Sequence, residues 1–252
     1  MAEPVQIGDT TLYLGDCRDI LPTLPRVDAV VTDPPYGIDI GASRYVGGHK
    51  PIGRRSATVV HAQEYGKHSW DRKGMSEGQW AAIRDKTDTW IVWGGNHLAD
   101  VLGPSAGVLC WDKKCREWDD TFSDAEFAWT NVLTRAKVFR HMWVGAFRDS
   151  EKGGGVRVHP TQKPVAVMAW CLQQIPDAQT ILDPFMGSGT TGVACAQLGR
   201  KFIGIEIEPK YFDIACECID NAYRQAPLFD HLPVAWQQLD FGGMCGDIDS
   251  VW

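Results

Sequence analysis

The chain has 252 residues, in which 25 Lys and Arg stand against 32 Asp and Glu, so that its formal net charge is -7. Taken alone, a net negative charge argues against a protein that binds a polyanion. Hydrophobic residues make up 44% of the sequence, which is enough to fill the core of one large α/β domain and excludes an intrinsically disordered chain.

Strand-like apolar runs alternate with helical patterns along the chain, which is typical of a parallel sheet covered by helices. The predicted strands are 11–15, 28–33, 89–93, 108–111, 127–133, 137–143, 180–183 and 201–206. The predicted helices are 164–176, 190–198 and 209–224. We therefore predict one α/β domain over residues 1–225, followed by a loop-like extension at 226–252 to which we assign no function.

The charge is unevenly distributed along the chain. Segment 41–75 holds seven Lys or Arg and two Asp or Glu, and segment 132–175 has the same count, so each carries +5 on an acidic remainder. Segment 41–75 also lacks a hydrophobic period, and a loop of this length inside a domain is usually functional or disordered. Solvated surface loops are the plain interpretation of such charge. Contacts to a polyanion are the alternative.

The second predicted strand ends in the tetrapeptide Asp33-Pro34-Pro35-Tyr36. Prolines fix φ and end strand pairing, so a stiff turn is the simplest interpretation. The two prolines also keep the backbone extended, so that the Asp33 carboxylate and the Pro34 carbonyl can accept both N–H groups of an exocyclic amine. Tyr36 offers a flat face on which a flipped-out base can stack, a contact worth about 1–3 kcal/mol.

Residues 180–208 read as a strand, a glycine-rich turn, a helix, a second strand and an acidic residue. Gly187, Gly189 and Gly192 match G-x-G-x-x-G, and Glu206 stands where a ribose-binding carboxylate follows a second strand. This pattern predicts a nucleoside-cofactor site. Simple turn formation by the glycines and a nicotinamide dinucleotide both stay open as alternatives.

The residues that precede the glycines bear on the kind of nucleoside. Asp183-Pro184-Phe185 places a carboxylate at the strand end, where it would repel the pyrophosphate of a dinucleotide. S-adenosylmethionine has a sulfonium, an ammonium group and no phosphate. An acidic turn therefore suits it better than it suits NAD.

Three motifs in one order carry a family resemblance: the tetrapeptide at 33–36, the segment HPTQKP at 159–164 and the turn DPFMGSG at 183–189. Together they resemble the amino-group (N6-adenine and N4-cytosine) DNA methyltransferases over most of residues 10–224. The tetrapeptide precedes the cofactor turn, which is similar to the β-class motif order. The resemblance implies a single Rossmann-like S-adenosylmethionine-dependent methyltransferase domain, with a mostly parallel sheet and helices on both faces.

The resemblance also implies roles for individual residues. The catalytic residues would be Asp33, Pro34, Pro35 and Tyr36. The cofactor-binding residues would be Asp16, Cys17, Thr161, Lys163, Asp183, Pro184, Phe185, Gly187, Gly189, Thr190 and Glu206. Within this set, Asp16 would contact the adenine amine of the cofactor, Glu206 its ribose, and Thr161 and Lys163 its carboxylate.

An aspartate at the first position of the tetrapeptide resembles the adenine-N6 enzymes, so adenine in duplex DNA is the predicted target. Methyl transfer by direct attack of the amine needs no catalytic cysteine. Cytosine-N4 methylation, a non-catalytic DNA-binding homologue, a nicotinamide-dependent oxidoreductase and an RNA substrate are the alternatives that the sequence leaves open.

With this target, the basic segments become candidate DNA contacts, at about 41–75 and 132–158. The residues expected to bind DNA are Arg44, Arg54, Arg55, Lys73 and Arg140. By analogy with small β-class enzymes, a homodimer is possible, and a place in restriction-modification is expected.

Location and metal content are judged from what the sequence lacks. No apolar run approaches the ~20 residues of a membrane helix, and the N-terminus has no signal-peptide pattern. The 8 cysteines are scattered without C-x-x-C pairs. We expect a cytoplasmic protein with no membrane partner and no metal.

Overall fold

The computed structural model of the protein describes residues 3–37, 73–115, 123–144, 147–150 and 163–225. Several predictions lie outside these residues. They are the DNA contacts of Arg44, Arg54 and Arg55, the cofactor contact of Thr161, and the extension at 226–252.

Secondary structure covers most of the described residues. The strands are β1 (Val5–Ile7), β2 (Thr10–Leu14), β3 (Ala29–Thr32), β4 (Trp90–Trp93), β5 (Gly107–Asp112), β6 (Ala125–Thr130), β7 (Ala136–Arg140), β8 (Trp143–Val144), β9 (Phe147–Arg148), β10 (Thr180–Asp183) and β11 (Lys201–Glu206). The helices are α1 (Cys17–Ile20), α2 (Glu77–Lys86), α3 (Ala99–Leu102), α4 (Val165–Gln173), α5 (Thr190–Gln197) and α6 (Pro209–Gln225).

In the described ranges, nine strands form one sheet in the order β1-β2-β11-β10-β3-β4-β6-β5-β7, and β8 and β9 pair separately. Strands β2, β11, β10, β3 and β4 are parallel neighbours. β1 is antiparallel to β2, and β6 is antiparallel to both β4 and β5. The predicted mostly parallel, Rossmann-like sheet is confirmed.

Both faces of the sheet are buried. Neighbouring residues of one strand enter opposite cores: Val31 and Ile181 belong to the core under α4, α5 and α6, whereas Val30 and Leu182 belong to the core under α1 and α2. Side chains alternate between the two faces of a strand, so a strand covered on both sides has to be apolar throughout. All four residues of β3 are buried, as this arrangement requires.

The chain reverses its direction of winding between β10 and β3. From β10 it continues through α5 to β11 on one side, and from β3 it continues through α2 to β4 on the other. In an open α/β sheet, ligands bind at the carboxyl ends of the strands at such a switch point. The fold thus places a candidate crevice at the ends of β10 and β3.

Two predicted strands extend three residues beyond the observed C-terminal ends. The predicted strand 127–133 is observed as Ala125–Thr130, because its partner β5 begins at Gly107, opposite Thr130. The predicted strand 137–143 ends at Arg140, which pairs with Asp112, the last residue of β5. In both cases pairing stops where the partner strand stops.

The sequence patterns also miss helix α2. Its start carries a capping box, in which Ser76 accepts from the backbone N–H of Gln79 and the Gln79 side chain accepts from the backbone N–H of Ser76. This pairing of residues three apart is the signal that would have located the helix.

No helix in the described ranges is long and apolar enough to cross a bilayer. Within the same ranges, no group of three or more His, Cys, Asp or Glu is arranged to hold a metal ion.

Candidate active site

The predicted motifs meet at one edge of the sheet, where five parallel strands end. The residues at these ends are Asp16 after β2, Glu206 on β11, Asp183 on β10, Asp33 after β3 and Gly94 after β4. Residues far apart in the sequence are therefore neighbours in space, and the tetrapeptide lies beside the glycine turn.

Asp183 connects the two motifs. Its Oδ1 accepts from the Thr32 hydroxyl at 2.6 Å and from the Phe185 backbone N–H at 3.1 Å, and its Oδ2 accepts from the Thr191 hydroxyl at 2.7 Å. Burial raises the pKa of Asp183 to about 6, although these hydrogen bonds oppose the rise. The side chain joins β3, β10 and α5, so it holds the turn in place next to the tetrapeptide.

The glycines of the turn have different roles. Gly187 and Gly189 have φ of 53° and 82°, in the left-handed region that favours glycine. Gly189 is also the N-cap of α5, which starts at Thr190. A Cβ on Gly192 would lie 2.5 Å from Ile219 Cδ1, so this glycine lets α5 pack closely on α6.

Two carboxylates border the turn on its other side. Glu206 accepts at 2.9 Å from the backbone N–H of Gly187 and at 2.9 Å from that of Glu208, while burial raises its pKa. Asp16 caps α1 and lies 2.5 Å from the Arg18 guanidinium, whose hydrogen bond lowers the pKa of that carboxyl. The Gly15 N–H donates to the Glu206 carbonyl at 2.9 Å, which ties the two strand ends together.

The tetrapeptide carboxylate has donors on both oxygens. The Tyr36 hydroxyl donates to Asp33 Oδ1, and Lys163 Nζ lies 2.5 Å from Asp33 Oδ2. Lys163 Nζ also donates to the Tyr36 hydroxyl at 3.2 Å. Burial raises the pKa of Asp33, and the Lys163 charge and these hydrogen bonds oppose the rise.

Lys163 is buried, with 4% of its side chain exposed, and it contacts a second carboxylate, Glu126 Oε2, at 3.3 Å. Glu126 Oε1 in turn lies 3.0 Å from Lys113 Nζ. Burial alone would raise the pKa of Glu126, but the two ammonium groups hold it at about 2. Burial lowers the pKa of Lys163, and Asp33 and Glu126 outweigh this effect so that it is raised.

The ring of Tyr36 contacts the end of β4 and an exposed histidine. It stacks on His97, with ring centroids 5.2 Å apart and an interplanar angle of 19°. A Cβ on Gly94, where φ is 75°, would overlap the Tyr36 ring. Gly94 is therefore needed where it stands, because it leaves room for the aromatic face.

Three other predicted residues are placed as follows. Cys17 is buried in the core under α1 and α2, its Sγ accepts a weak hydrogen bond from Gln79, and burial raises its pKa. Lys73 is exposed and precedes Gly74, where a Cβ would lie 3.1 Å from the Tyr36 carbonyl oxygen. Arg140 is 72% exposed at the end of β7 and lies 3.6 Å from Asp112.

Lys163 has protein partners that the sequence does not predict. The sequence predicts that this residue binds the carboxylate of a cofactor, whereas the structure directs its ammonium to Asp33 and Glu126. Glu126 and Lys113 are not among the predicted site residues at all. Nothing in their spacing marks them, since they reach the site through the antiparallel pairing of β6 with β4 and β5.

Comparison with known proteins agrees with this geometry. The family model described as DNA methylase (N6_N4_Mtase) matches residues 111–217. The chain is 42% identical over 106 residues to the Type II methyltransferase M2.LlaDCHI of Lactococcus lactis subsp. cremoris, covering 41% of this chain and 36% of that protein. It is 44% identical over 85 residues to the Type II methyltransferase M2.DpnII of Streptococcus pneumoniae, covering 33% and 31%.

The matches thus span about a third of the length of these curated relatives. Among solved structures, the crystal structure of M1.HpyAVI is similar in fold, with a TM-score of 0.50 and 22% identity over 84% of this chain and 98% of that one.

The fold is that of a Rossmann-like α/β domain with a candidate ligand site at the switch point of its sheet. Over residues 111–217 the chain is similar to the DNA methylase family, and it is similar over part of its length to two Type II methyltransferases. The matched residues include Glu126, Lys163 and the glycine turn, whereas the tetrapeptide lies ahead of them.

Proposed function

We propose that the chain is a DNA methyltransferase that transfers a methyl group from S-adenosylmethionine to N6 of an adenine flipped out of duplex DNA. One observation carries the proposal. Asp33, the acceptor for the target amine, lies at the switch point beside the glycine turn, and the Thr32–Asp183 hydrogen bond of 2.6 Å joins the two segments. Relatives named Type II methyltransferases support a role in restriction-modification.

The residues around the turn fit S-adenosylmethionine. Carboxylates of Asp16 and Glu206 stand at adjacent strand ends, where they can accept from an adenine amine and from ribose hydroxyls. Gly187 leaves the backbone open for close approach, and Phe185 gives an apolar wall. The carboxylate of Asp183 behind the turn favours a cation and disfavours a pyrophosphate.

When bound, S-adenosylmethionine supplies an electrophilic methyl group on its sulfonium. The work of this chain is to make the adenine amine a better nucleophile, because its lone pair is delocalised into the ring. Asp33 and the Pro34 carbonyl accept its two N–H groups, which favours a pyramidal nitrogen with the lone pair directed outward. A carboxylate has about four lone-pair sites, so Asp33 can accept the amine beside its protein donors.

The nitrogen that gains the methyl group must also lose one proton. Asp33 is the base that the tetrapeptide supplies for it, and its raised pKa makes it a better proton acceptor than an ordinary aspartate. Tyr36 stacks on the base and fixes its plane. Most of the rate then comes from positioning and from fixed dipoles around the amine.

Adenine is preferred to cytosine because the tetrapeptide begins with an aspartate. A cytosine N4 amine offers the same two donors and would fit the same acceptors, so cytosine-N4 methylation is the alternative that the experiment must distinguish.

The test is to incubate the protein with unmethylated genomic DNA and labelled S-adenosylmethionine, and then to analyse the nucleosides by mass spectrometry. We expect N6-methyladenine, and we expect Asp33→Asn to lower its formation at least ~100-fold, as for loss of a catalytic acid-base group. The matched control is Asp177→Asn, a change of an exposed aspartate, which should behave as wild type.

If the label appeared in N4-methylcytosine, the target base would be cytosine and not adenine. DNA binding without label in any base would support a non-catalytic homologue. Equal activity of wild type and Asp33→Asn would overturn the proposed role of the tetrapeptide.

A further inference from the structure

A buried ammonium lies between two carboxylates at the centre of the site. Lys163 Nζ is 2.5 Å from Asp33 Oδ2 and 3.3 Å from Glu126 Oε2, and only 4% of its side chain is exposed. The three residues come from different elements, since Asp33 follows β3, Glu126 lies on β6, and Lys163 precedes α4. Both carboxylates therefore compete for one ammonium.

Glu126 is itself shared between two cations. Its second oxygen lies 3.0 Å from Lys113 Nζ. The four groups form a chain of alternating charge, Lys113, Glu126, Lys163 and Asp33, whose formal charges sum to zero. A change at Lys113 or Glu126 therefore reaches Asp33 through Lys163, without a direct contact.

We propose that Glu126 is a positioning residue, which draws Lys163 partly away from Asp33 and so sets how strongly the Asp33 carboxylate accepts the target amine. The inference rests on the proposed function. Without Glu126, Lys163 would pair with Asp33 alone, and the fully paired carboxylate would be a weaker acceptor and a weaker base. With Glu126 in place, Asp33 keeps part of its basicity in a site where it must stay ionised.

Several groups in the described part of the chain face Asp33 and affect its pKa. Lys163 lowers the pKa of Asp33 and Glu126 raises it. Asp183 on β10 interacts with Asp33 as a like charge, and His97 stacks on the ring of Tyr36, whose hydroxyl donates to Asp33. Cys171 on α4 is uncharged, because burial raises its pKa to about 12.

Two substitutions should move the Asp33 titration in opposite directions. Glu126→Gln keeps the shape of the side chain and removes its charge. Lys163 then pairs with Asp33 alone, and the pKa of Asp33 falls. Lys113→Met removes the outer partner of Glu126, so Glu126 binds Lys163 more strongly and the pKa of Asp33 rises. A merely structural role for Glu126 would give no such pair of opposite shifts.

The experiment is a carbon-13 NMR titration of protein labelled at the aspartate carboxyl carbons, with the Asp33 signal identified by its loss in Asp33→Asn. We expect its midpoint at lower pH in Glu126→Gln and at higher pH in Lys113→Met than in wild type. The matched control is Glu217→Gln on the exposed face of α6, which should leave the midpoint unchanged. An unchanged midpoint in Glu126→Gln, or a shift in the same direction in both variants, would overturn the inference.

Methylation kinetics give the second readout. The acid limb of the kcat profile should follow the NMR midpoints, and Glu126→Gln should lower kcat at neutral pH about tenfold, less than the ~100-fold or more expected for loss of Asp33 itself.

The outcomes separate the two proposals. If wild type methylates no DNA while the NMR shifts occur, the proposed function fails and the inference about Glu126 stands. If wild type methylates DNA and the midpoints do not move, the inference alone fails. Should Glu126→Gln not fold, the direction of the Lys113→Met shift decides.

Discussion

The two halves of the site hold their carboxylates in different ways. In the half around the glycine turn, hydroxyl and backbone N–H groups donate to Asp183 and Glu206. In the half around the tetrapeptide, the ammonium groups of Lys163 and Lys113 pair with Asp33 and Glu126. Neutral donors fix a carboxylate without cancelling its charge, whereas ammonium groups cancel it.

The difference matches the two ligands of the proposed reaction. The half around the turn keeps a net negative charge, which suits a sulfonium compound. The half around the tetrapeptide is close to neutral, which suits an uncharged base. It also follows that one carboxyl from each half should respond to pH in opposite ways, since burial raises the pKa of Asp183 whereas the two lysines hold that of Glu126 at about 2.

The largest effect is expected from Lys163→Met, which removes a buried ammonium and leaves Asp33 and Glu126 as two partly buried carboxylates without a cation between them. Breaking a buried ion pair by removing one partner costs about 3–5 kcal/mol. We expect a loss of this size in the unfolding free energy measured in urea. Lys210→Met, a change of an exposed lysine on α6, is the control and should be nearly neutral. If the two variants were equally stable, the ion pairs of Lys163 would not stabilise the half around the tetrapeptide.

A smaller effect tests the half around the turn. The pKa of Asp183 is raised from 3.8 to about 6, so between these values the folded protein binds more protons than the unfolded chain. Its unfolding free energy should therefore fall as pH rises through that window, by about 3 kcal/mol from this group. Glu126 has the opposite sign, and its contribution is lost as pH falls below 4.5 toward 2.

Urea titrations between pH 4 and pH 7 would measure this slope. Asp183→Asn should show a smaller decline with rising pH than wild type, while Asp177→Asn should keep the wild-type slope. A decline in Asp183→Asn parallel to that of wild type would mean that the buried carboxylate is not the titrating group.

The smallest effect concerns Lys73 and Arg140, the two predicted DNA-binding residues that the structure describes. Lys73→Ala and Arg140→Ala should each weaken DNA binding a few-fold at low salt and reduce the slope of log affinity against log salt by about 0.9. Affinity for S-adenosylmethionine should not change, because both side chains lie away from the glycine turn. Equal loss of cofactor affinity would show that the two kinds of binding are not separate.

The sequence predicts the half around the turn better than the half around the tetrapeptide. Strand ends and glycines are local signals, so β10, the turn and β11 could be located from residues 180–206. The position of Asp33 next to Asp183 follows from parallel strand order, which the motif resemblance implies. Glu126 could not be found this way, because its contact with Lys163 depends on an antiparallel strand inserted between β4 and β5.

The placement of Lys163 differs from expectation for a related reason. A lysine in a motif next to a cofactor site has several anionic partners within reach, and the sequence does not say which is nearest. The structure adds the second carboxylate, Glu126, and the pair draws the ammonium to the tetrapeptide. The partners of Lys163 therefore depend on tertiary packing, which the local sequence pattern does not reveal.

The hydroxyl of Thr32 has one more consequence. It donates to Asp183 across the boundary between β3 and β10, one residue before the tetrapeptide begins. Separating the two strand ends would break a buried hydrogen bond to a charged group, so the spacing between donor and acceptor segments is a fixed property of the sheet. In the proposed reaction, the separation between the methyl donor and the target amine would then be set by the sheet itself.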